Sequence, residues 1–429
     1  MKKFLLTVVL LGFFICGGQN KLNSSFGPYS TNEKDVAGYL LPELLRFSDG
    51  TPVDSVQKWE RRRSEILDIL KRESYGEILP VPDKLEVKLL AEKKDALNGC
   101  AVRKELEIIC RTGNGKSFSF IMLLYLPKNV SGPVPAFVGL NFKGNHASTS
   151  ENDVIITGRK DEPRGIQAYR WCFEEVVKRG YASATICYHD IHPDKKDGAK
   201  ESVFTLFFDE ISPEEIRKKY SVIGSWAWGL SRALEVLQRE ESIDKNKIIV
   251  HGHSRLGKTA LWAGATDQRF AMIISNNSGC GGAALHKRKF GENLSQHFEA
   301  HLQRDLPVWF VENLRKYIGK EELMPFDQHF LLALAAPRQL CVSSATLDFG
   351  ADPYGEFLSC IHASQAYGLF GYEALELRDM IAPDTHIGNR VHYHYRTGKH
   401  DQTWQDWKYY LAEADKNFKQ NNYQKEIGK

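Results

Sequence analysis

A serine at position 254 lies where a sharp turn between a strand and a helix would present its hydroxyl group. The β-branched run Lys247–Val250 precedes it, Gly252 stands two residues before it, and a helix-forming segment follows. This context is typical of a strained turn that carries a nucleophile. The glycine expected two residues after the serine is Leu256, and Gly257 follows one place later. On this pattern alone, a serine that only caps the helix is an equally good interpretation.

A serine hydroxyl becomes a nucleophile when a histidine accepts its proton and a carboxylate orients that histidine. In a strand, turn and helix of this kind, the chain order is serine, then acid, then histidine. Asp348 and Asp352 both follow a strand-like run, in a loop where such an acid belongs. His400 lies in a glycine-containing loop just before the last predicted helix, and His386 is a weaker alternative. The chain therefore offers the three groups of an acyl-transfer enzyme in the required order.

Short apolar strands that alternate with amphipathic helices must position these groups. Alternation of this kind predicts an α/β fold with a mostly parallel sheet covered by helices, and the first strands are expected to be antiparallel. Strands are expected at 85–90, 106–109, 118–126, 136–142, 181–188, 247–250, 270–275 and 339–343. Helices are expected at 56–75, 167–178, 226–240 and 403–418.

The composition is that of a globular protein with one large core. The chain has 429 residues, of which 42% are hydrophobic and 26% charged. It contains no repeat, low-complexity linker or clear domain boundary, so residues 21–429 are predicted to form a single domain. A net charge of +3 is too small to indicate a nucleic-acid partner, and none is expected.

The N-terminus resembles an export signal. A positively charged start is followed by an apolar run over residues 4–16, which is too short to span a bilayer. Residues 1–20 are therefore predicted to be a signal peptide, and the protein to be periplasmic, secreted or held at the outer membrane. Cys16 is a candidate for lipidation, although Ile15 stands where a small residue is usual. The alternative is ordinary cleavage just after the apolar run.

The cysteine pattern does not indicate a metal or redox centre. The chain has eight cysteines, and none forms a C-x-x-C pair. Cys187 and Cys341 lie in apolar, strand-like runs and are expected to be buried thiols. Neither a metal nor an organic cofactor is expected.

Several motifs together resemble the bacterial glucuronoyl esterases of carbohydrate esterase family 15. The similarity runs from about Pro133 to Trp407. The motifs that carry it are Gly252–Ala263, Ser278–Leu285, Phe290–Asn293, Ala351–Glu356 and the stretch from Gly398 to Trp407. The resemblance implies an α/β-hydrolase fold, a three-layer α/β/α sandwich with a mostly parallel central sheet. It also implies cleavage of the ester between 4-O-methyl-glucuronate on xylan and an alcohol of lignin. The protein is expected to act as a monomer.

The resemblance implies roles for residues at matching positions. Ser254 would be the nucleophile and His400 the base. Arg255 would help to form the oxyanion hole, through its backbone N–H and its guanidinium.

Three further residues are implied to bind the substrate. Lys258 lies four residues after the serine, on the same side of the helix, and would reach sugar hydroxyls, as would Glu292. Arg288 is a looser candidate for the uronate or a neighbouring sugar. The alternative for Lys258 is a solvated helix lysine, and the alternative for Glu292 is a surface carboxylate. For Arg288 the alternative is a solvated basic run.

The acid differs from the pattern of many family members. Those carry a glutamate shortly after the strand that follows the nucleophile helix, and Asn277 occupies that place here. An asparagine can orient a histidine but cannot stabilise an imidazolium by charge. Other bacterial members are similar in placing an acid on the later loop, at a position that Asp348 matches. Asp348 is therefore the predicted acid, with Asp352 as the fallback.

The sugar site also differs, because Gly350 stands where family members commonly have a tryptophan. Phe349, Tyr354 or Trp309 are candidates to compensate. The change gives weight to a different ester, in acetyl-xylan or another polysaccharide. A catalytically impaired carbohydrate-binding protein is a third hypothesis, which the intact serine, acid and histidine argue against.

Overall fold

The computed structural model describes residues 30–209, 212–303 and 309–419, so the predicted signal peptide and Cys16 lie outside the described residues. The strands are β1 Lys84–Ala96, β2 Ala101–Arg111, β3 Ser117–Pro127, β4 Val134–Asn141, β5 Ala182–Cys187, β6 Ile243–His253, β7 Met272–Asn276, β8 Gln339–Ala345, β9 Thr385–Gly388 and β10 Val391–Arg396. The helices are α1 Val56–Leu70, α2 Ala168–Trp171, α3 Phe173–Lys178, α4 Tyr188–Ile191, α5 Phe204–Phe207, α6 Pro213–Lys219, α7 Val222–Leu237, α8 Arg255–Thr266, α9 Leu294–Gln303, α10 Gln328–Ala333, α11 Pro353–Gly368 and α12 Trp404–Phe418.

The described strands form one sheet, in the order β1-β2-β3-β5-β4-β6-β7-β8-β10-β9. From β5 to β10 the neighbouring strands are parallel. The first three strands and the edge strand β9 join this block in antiparallel fashion. The predicted mostly parallel sheet, opened by antiparallel strands, is therefore confirmed.

Helices cover both faces of the sheet because successive strand residues point to opposite sides. Val250 of β6 lies in the same apolar cluster as Leu234 of α7 and Leu261 of α8. Its neighbour Ile249 lies in a second cluster with Trp407 of α12. Burying each such aliphatic side chain stabilises the fold by roughly 1.5–3 kcal/mol. The result is the three-layer α/β/α sandwich that the family resemblance implied.

The helix predicted over residues 167–178 is interrupted, and that prediction is wrong in this detail. Cys172 has a φ of +46° and separates α2 from α3. The rings of Trp171 and Phe173 stack with centroids 5.3 Å apart and planes 23° apart. Residues two apart on a continuous helix do not face each other, so the break makes this stacking possible.

The cysteines match their prediction, since Cys187 and Cys341 are both buried. All cysteines within the described ranges are free thiols. In those same ranges, no three or more His, Cys, Asp and Glu side chains are grouped so that they would hold a metal ion. No helix among the described residues has the length and apolar character that a membrane span requires.

The parallel strands bring chemically active residues to one edge of the sheet. Asp194 follows β5, Ser254 follows β6, Asn277 follows β7, Asp348 follows β8 and His400 follows β10. The carboxyl ends of parallel strands meet at the same edge, which is where α/β proteins bind ligands.

Candidate active site

Ser254 lies in a tight, strained turn between β6 and α8, which we call the elbow. Its φ of +57° and ψ of −131° are rarely adopted by a residue with a side chain, and such a conformation costs roughly 1–3 kcal/mol. The N–H of Ser254 donates a hydrogen bond to the carbonyl of Asn276, at 2.8 Å. A Cβ atom at Gly252 would lie 2.0 Å from the Leu256 carbonyl oxygen, so only glycine fits there.

Gly257 explains why the second glycine of the motif is displaced by one residue. A Cβ atom there would lie 3.1 Å from the carbonyl oxygen of Gly252 and 3.2 Å from that of Asn276. The first turn of α8 therefore packs directly onto the backbone of β6 and β7. This close approach favours a residue without a side chain at position 257, three residues after Ser254.

The structure brings His400 and Asp348 into direct contact. Nδ1 of His400 lies 2.6 Å from Oδ2 of Asp348. The carboxylate is an acceptor, so Nδ1 carries the proton and Nε2 is the nitrogen that can accept one. The ring of His400 also lies 4.5 Å, between centroids, from that of His253, the residue before Ser254. His400 thus contacts both Asp348 and the residue that precedes Ser254, at the same edge of the sheet.

Asn277 forms a hydrogen bond with Asp348. Its Nδ2 donates to the same Oδ2 of Asp348, at 2.6 Å. Its backbone, with a φ of +47°, is fixed by a 2.7 Å hydrogen bond from its N–H to the carbonyl of Ser343. The amide at this position therefore binds the carboxylate that contacts His400.

The pKa of His400 lies above its ordinary value of about 6.5. Enclosure in the site would lower this pKa, but the hydrogen bond and charge of Asp348 outweigh it, and the charge of Glu292 acts in the same direction. The imidazole is 44% exposed, so solvent weakens these effects without removing them.

The pH dependence of kcat/KM should report this raised pKa. A general base must be neutral, so activity is expected to fall as the pH drops through the pKa of His400, at a midpoint above 6.5. Glu292→Gln removes a charge that raises this pKa, and should move the midpoint to lower pH. The measurement is kcat/KM against pH for both proteins. A midpoint at or below 6.5 in the unmodified protein would contradict the expectation.

Arg255, the first residue of α8, has its guanidinium held in place. Nη1 forms an ion pair with Oδ2 of Asp194, and the indole Nε1 of Trp309 donates to the other carboxylate oxygen at 2.9 Å. Cζ of Arg255 lies 4.4 Å from the ring centroid of Trp309 and 5.9 Å from that of Phe142. Asp194 is not among the site residues predicted from the sequence. Its position after β5, at the edge that forms the site, is the signal that would have found it.

Lys258 is buried in the site, and Glu292 is half-buried. Lys258 is only 3% exposed, and its Nζ donates to the carbonyl of Ser278, so the alternative of a solvated helix lysine is wrong. Burial lowers the pKa of Lys258, which the charge of Glu292 opposes. Burial likewise raises the pKa of Glu292, and the charge of Lys258 opposes that shift. Lys258 is thus buried beside the turn at Ser254, and Glu292, which is half-buried, lies close enough to interact with its charge.

Three candidates from the sequence are engaged elsewhere. Arg288 is buried, with its Nε 3.1 Å from both carboxylate oxygens of Asp352 and its Nη2 paired with Glu33. This cluster ties the N-terminal segment to the start of α11, and we leave both Arg288 and Asp352 out of the proposed reaction. His386 lies on the edge strand β9, where its ring packs against that of Tyr409.

The region around Gly350 offers little aromatic surface to a sugar. The carbonyl of Gly350 accepts a 2.9 Å hydrogen bond from the N–H of Glu292. Of the three aromatics considered as replacements, Trp309 stacks on Arg255, and Tyr354 lies 5.0 Å from the guanidinium carbon of Arg288. Phe349, next to Asp348 in the chain, is 37% exposed and is the most exposed of these three side chains.

Comparison with known proteins places this site in a family. A family model described as "Glucuronyl esterase, fungi" matches residues 158–371. The chain is 37% identical to carbohydrate esterase MZ0003 of an unknown prokaryotic organism, over 90% of this chain and 91% of that protein.

Two solved structures share the whole architecture. A glucuronoyl esterase from Solibacter usitatus is 37% identical with a TM-score of 0.82, over 90% of this chain and 100% of that one. A structure described as a promiscuous CE15 esterase from a marine bacterial metagenome is 38% identical with a TM-score of 0.79, over 90% and 99% of the two chains. The chain therefore belongs to the glucuronoyl esterases of carbohydrate esterase family 15, which are carboxylic ester hydrolases.

Proposed function

We propose that this protein hydrolyses the ester between 4-O-methyl-glucuronate on xylan and an alcohol of lignin. The observation that carries the proposal is the contact of His400 with Asp348 beside the strained Ser254, in a chain of this family. An acyl-enzyme forms on the serine and is then hydrolysed by water.

In the first step, Nε2 of His400 accepts the proton of the Ser254 hydroxyl as its oxygen attacks the uronate carbonyl carbon. The carbonyl oxygen becomes an oxyanion, stabilised by the backbone N–H and guanidinium of Arg255. His400 then gives the proton to the departing alcohol, and the bond to that alcohol breaks. The carboxylate of Asp348 stabilises the imidazolium that exists in between.

In the second step, water replaces the serine as the nucleophile. His400 accepts a proton from the water, whose oxygen attacks the acyl carbon, and the same oxyanion forms at Arg255. Its collapse breaks the ester to Ser254, which recovers its proton from His400. Every proton transfer uses the same imidazole, so these steps call on no further acid or base.

Lys258 and Glu292 bind the sugar ring in this proposal. The buried ammonium of Lys258 supplies a donor, and the half-buried carboxylate of Glu292 supplies an acceptor, for hydroxyl groups of the sugar. Because the site is built to satisfy these groups, a substrate without the hydroxyls would leave them unpaired. Recognition of the uronate therefore depends on polar contacts more than on an aromatic platform.

A second candidate function is the hydrolysis of other polysaccharide esters, such as those of acetyl-xylan. Gly350 favours it, because a glycine supplies no side chain to pack against the uronate. The marine relative described as promiscuous is consistent with a site that tolerates several esters.

A panel of esters separates the two candidates. With the purified mature protein, kcat/KM for methyl and benzyl esters of glucuronate is expected to exceed that for acetyl esters of xylose by at least about 10²-fold, a difference that buried hydrogen-bonding groups can supply. The measurement is initial rates at matched concentrations. Activity on acetyl esters with none on uronate esters would favour the second function instead.

We also propose export and a simple organisation. The pattern of the N-terminus supports a signal peptide over residues 1–20, followed by one catalytic domain over residues 21–429 that acts as a monomer. A lipid on Cys16 would hold that domain at a membrane surface, and ordinary cleavage would release it.

A further inference from the structure

A buried carboxylate with no part in the steps above lies behind the oxyanion site. The side chain of Asp194 is fully buried. The Asp194 carboxylate forms an ion pair with Arg255. It also accepts a 2.9 Å hydrogen bond from Nε1 of Trp309 and a 3.1 Å hydrogen bond from the hydroxyl of Tyr188. Burial, together with the charge of Asp194, raises the pKa of Tyr188, so its phenol stays protonated and donates.

We propose that Asp194 is a positioning residue for the hydrolysis, which holds the Arg255 guanidinium at the place where the oxyanion develops. The inference rests on the proposed function, since it assumes that Arg255 stabilises that oxyanion. Asp194 acts only through Arg255 and does not touch the substrate.

The geometry favours a role in orientation. An arginine side chain has a large rotamer entropy to lose when it is fixed. Here the ion pair with Asp194 and the stacking on Trp309 fix it when the protein folds. The guanidinium then needs no reorganisation at the moment of reaction, which is the condition under which such a group is most effective.

Asp194 favours catalysis by orienting Arg255, but its negative charge acts against catalysis. A carboxylate beside the guanidinium offsets part of the positive field that would attract the oxyanion. If field strength mattered most, removal of this charge would speed the reaction. A misplacement of about 1 Å can cost about 10²-fold in rate, so orientation should win and removal should slow the reaction.

Asp194→Asn tests the sign of this effect. The amide keeps the shape of the side chain but loses the charge and places an N–H₂ group in the site. We expect kcat for a benzyl glucuronate ester to fall about 10- to 10²-fold with little change in KM, because the oxyanion exists only in the transition state. Rates are expressed per active site, titrated by the endpoint of organophosphonate labelling, so a loss of folded protein does not count. An unchanged or raised kcat overturns the proposal.

Asp197→Asn is the matched control. It makes the same chemical change three residues later, at an exposed position that caps nothing with its side chain. Its kcat and KM should equal those of the unmodified protein. An equal loss in both variants would show that the effect is not specific to Asp194, and would also overturn the proposal.

A double-mutant cycle with Arg255→Met separates positioning from a general structural role. If Asp194 acts through Arg255, Asp194→Asn should cost nothing further once the guanidinium is gone. A multiplicative loss in the double variant overturns the proposal. If Asp194→Asn cannot be purified, Tyr188→Phe replaces it in the cycle, because it removes one hydrogen-bond donor to the Asp194 carboxylate. Its loss of kcat should likewise disappear in the Arg255→Met background, and a multiplicative loss overturns the proposal. If Arg255→Met alone has no effect, the proposed role of Arg255 fails, whereas a large effect with a silent Asp194→Asn overturns only this inference.

Discussion

Ser254→Ala should lower kcat for a benzyl glucuronate ester by about 10⁵- to 10⁶-fold, the loss typical of removing a nucleophile that acts together with its base. The residual rate would come from substrate binding and the oxyanion site alone. The fold should not change, because alanine occupies a φ of +57° no more easily and no less easily than serine. The measurements are single-turnover rates and thermal unfolding of both proteins.

Ser64→Ala provides the control for this substitution. Ser64 is an exposed residue of α1, with its hydroxyl bonded to the carbonyl of Glu60 within the same helix. Its removal should leave kcat and organophosphonate labelling unchanged, while Ser254→Ala should abolish labelling. Activity within a few-fold of normal in Ser254→Ala would mean that the acyl group is carried elsewhere.

Asp348→Asn should lower kcat by about 10³- to 10⁴-fold, with a much smaller effect on KM. Oδ2 of Asp348 accepts from both His400 and Asn277, at 2.6 Å each. An amide oxygen at this place can keep both hydrogen bonds but lacks the charge that stabilises the imidazolium. An amide turned the other way would present N–H₂ to two donors and favour the wrong tautomer of His400. Both arrangements impair the base, and pre-steady-state rates measure the loss.

Asn277→Ala is the comparison that identifies the acid. It removes a hydrogen bond to a buried carboxylate, which should cost about 1–3 kcal/mol of stability but only about tenfold in kcat. The measurements are urea unfolding and kcat on the same ester. The assignment of Asp348 would be falsified if Asn277→Ala lowered kcat more than Asp348→Asn does.

Local sequence patterns were enough to predict most of the sheet, β1 to β8, and the sharp turn at Ser254. Strand and helix periodicity depends on neighbouring residues, and Gly252 with Ser254 marks a turn that few other residues can form. The order of Ser254, Asp348 and His400 along the chain then follows from the order of the parallel strands that carry them. Such features need no knowledge of distant contacts.

Features that depend on distant contacts were missed or left open. Cys172 breaks a helix whose local pattern is unbroken, because the rings on either side stack on each other. Arg288 looks like part of a solvated basic run, yet it is buried against Asp352 and Glu33, the second of which lies 255 residues away. Asp194 follows β5 by several residues, and its partner Arg255 is 61 residues further on. The position of Asp194 after β5 indicates that it lies at the site edge, but its pairing with Arg255 is visible only once the chain is folded.

The left-handed backbone at Ser254 lowers the stability of the fold, although the proposed reaction requires a serine at this position. Glycine is the residue that tolerates this conformation without a steric penalty, so the most comfortable residue at position 254 is one with no hydroxyl. A search for stabilising substitutions that ignores activity would be drawn to this position and would silence the enzyme. Thermostable variants of this protein should therefore be sought at positions outside the elbow, because at those positions a gain in stability need not reduce turnover.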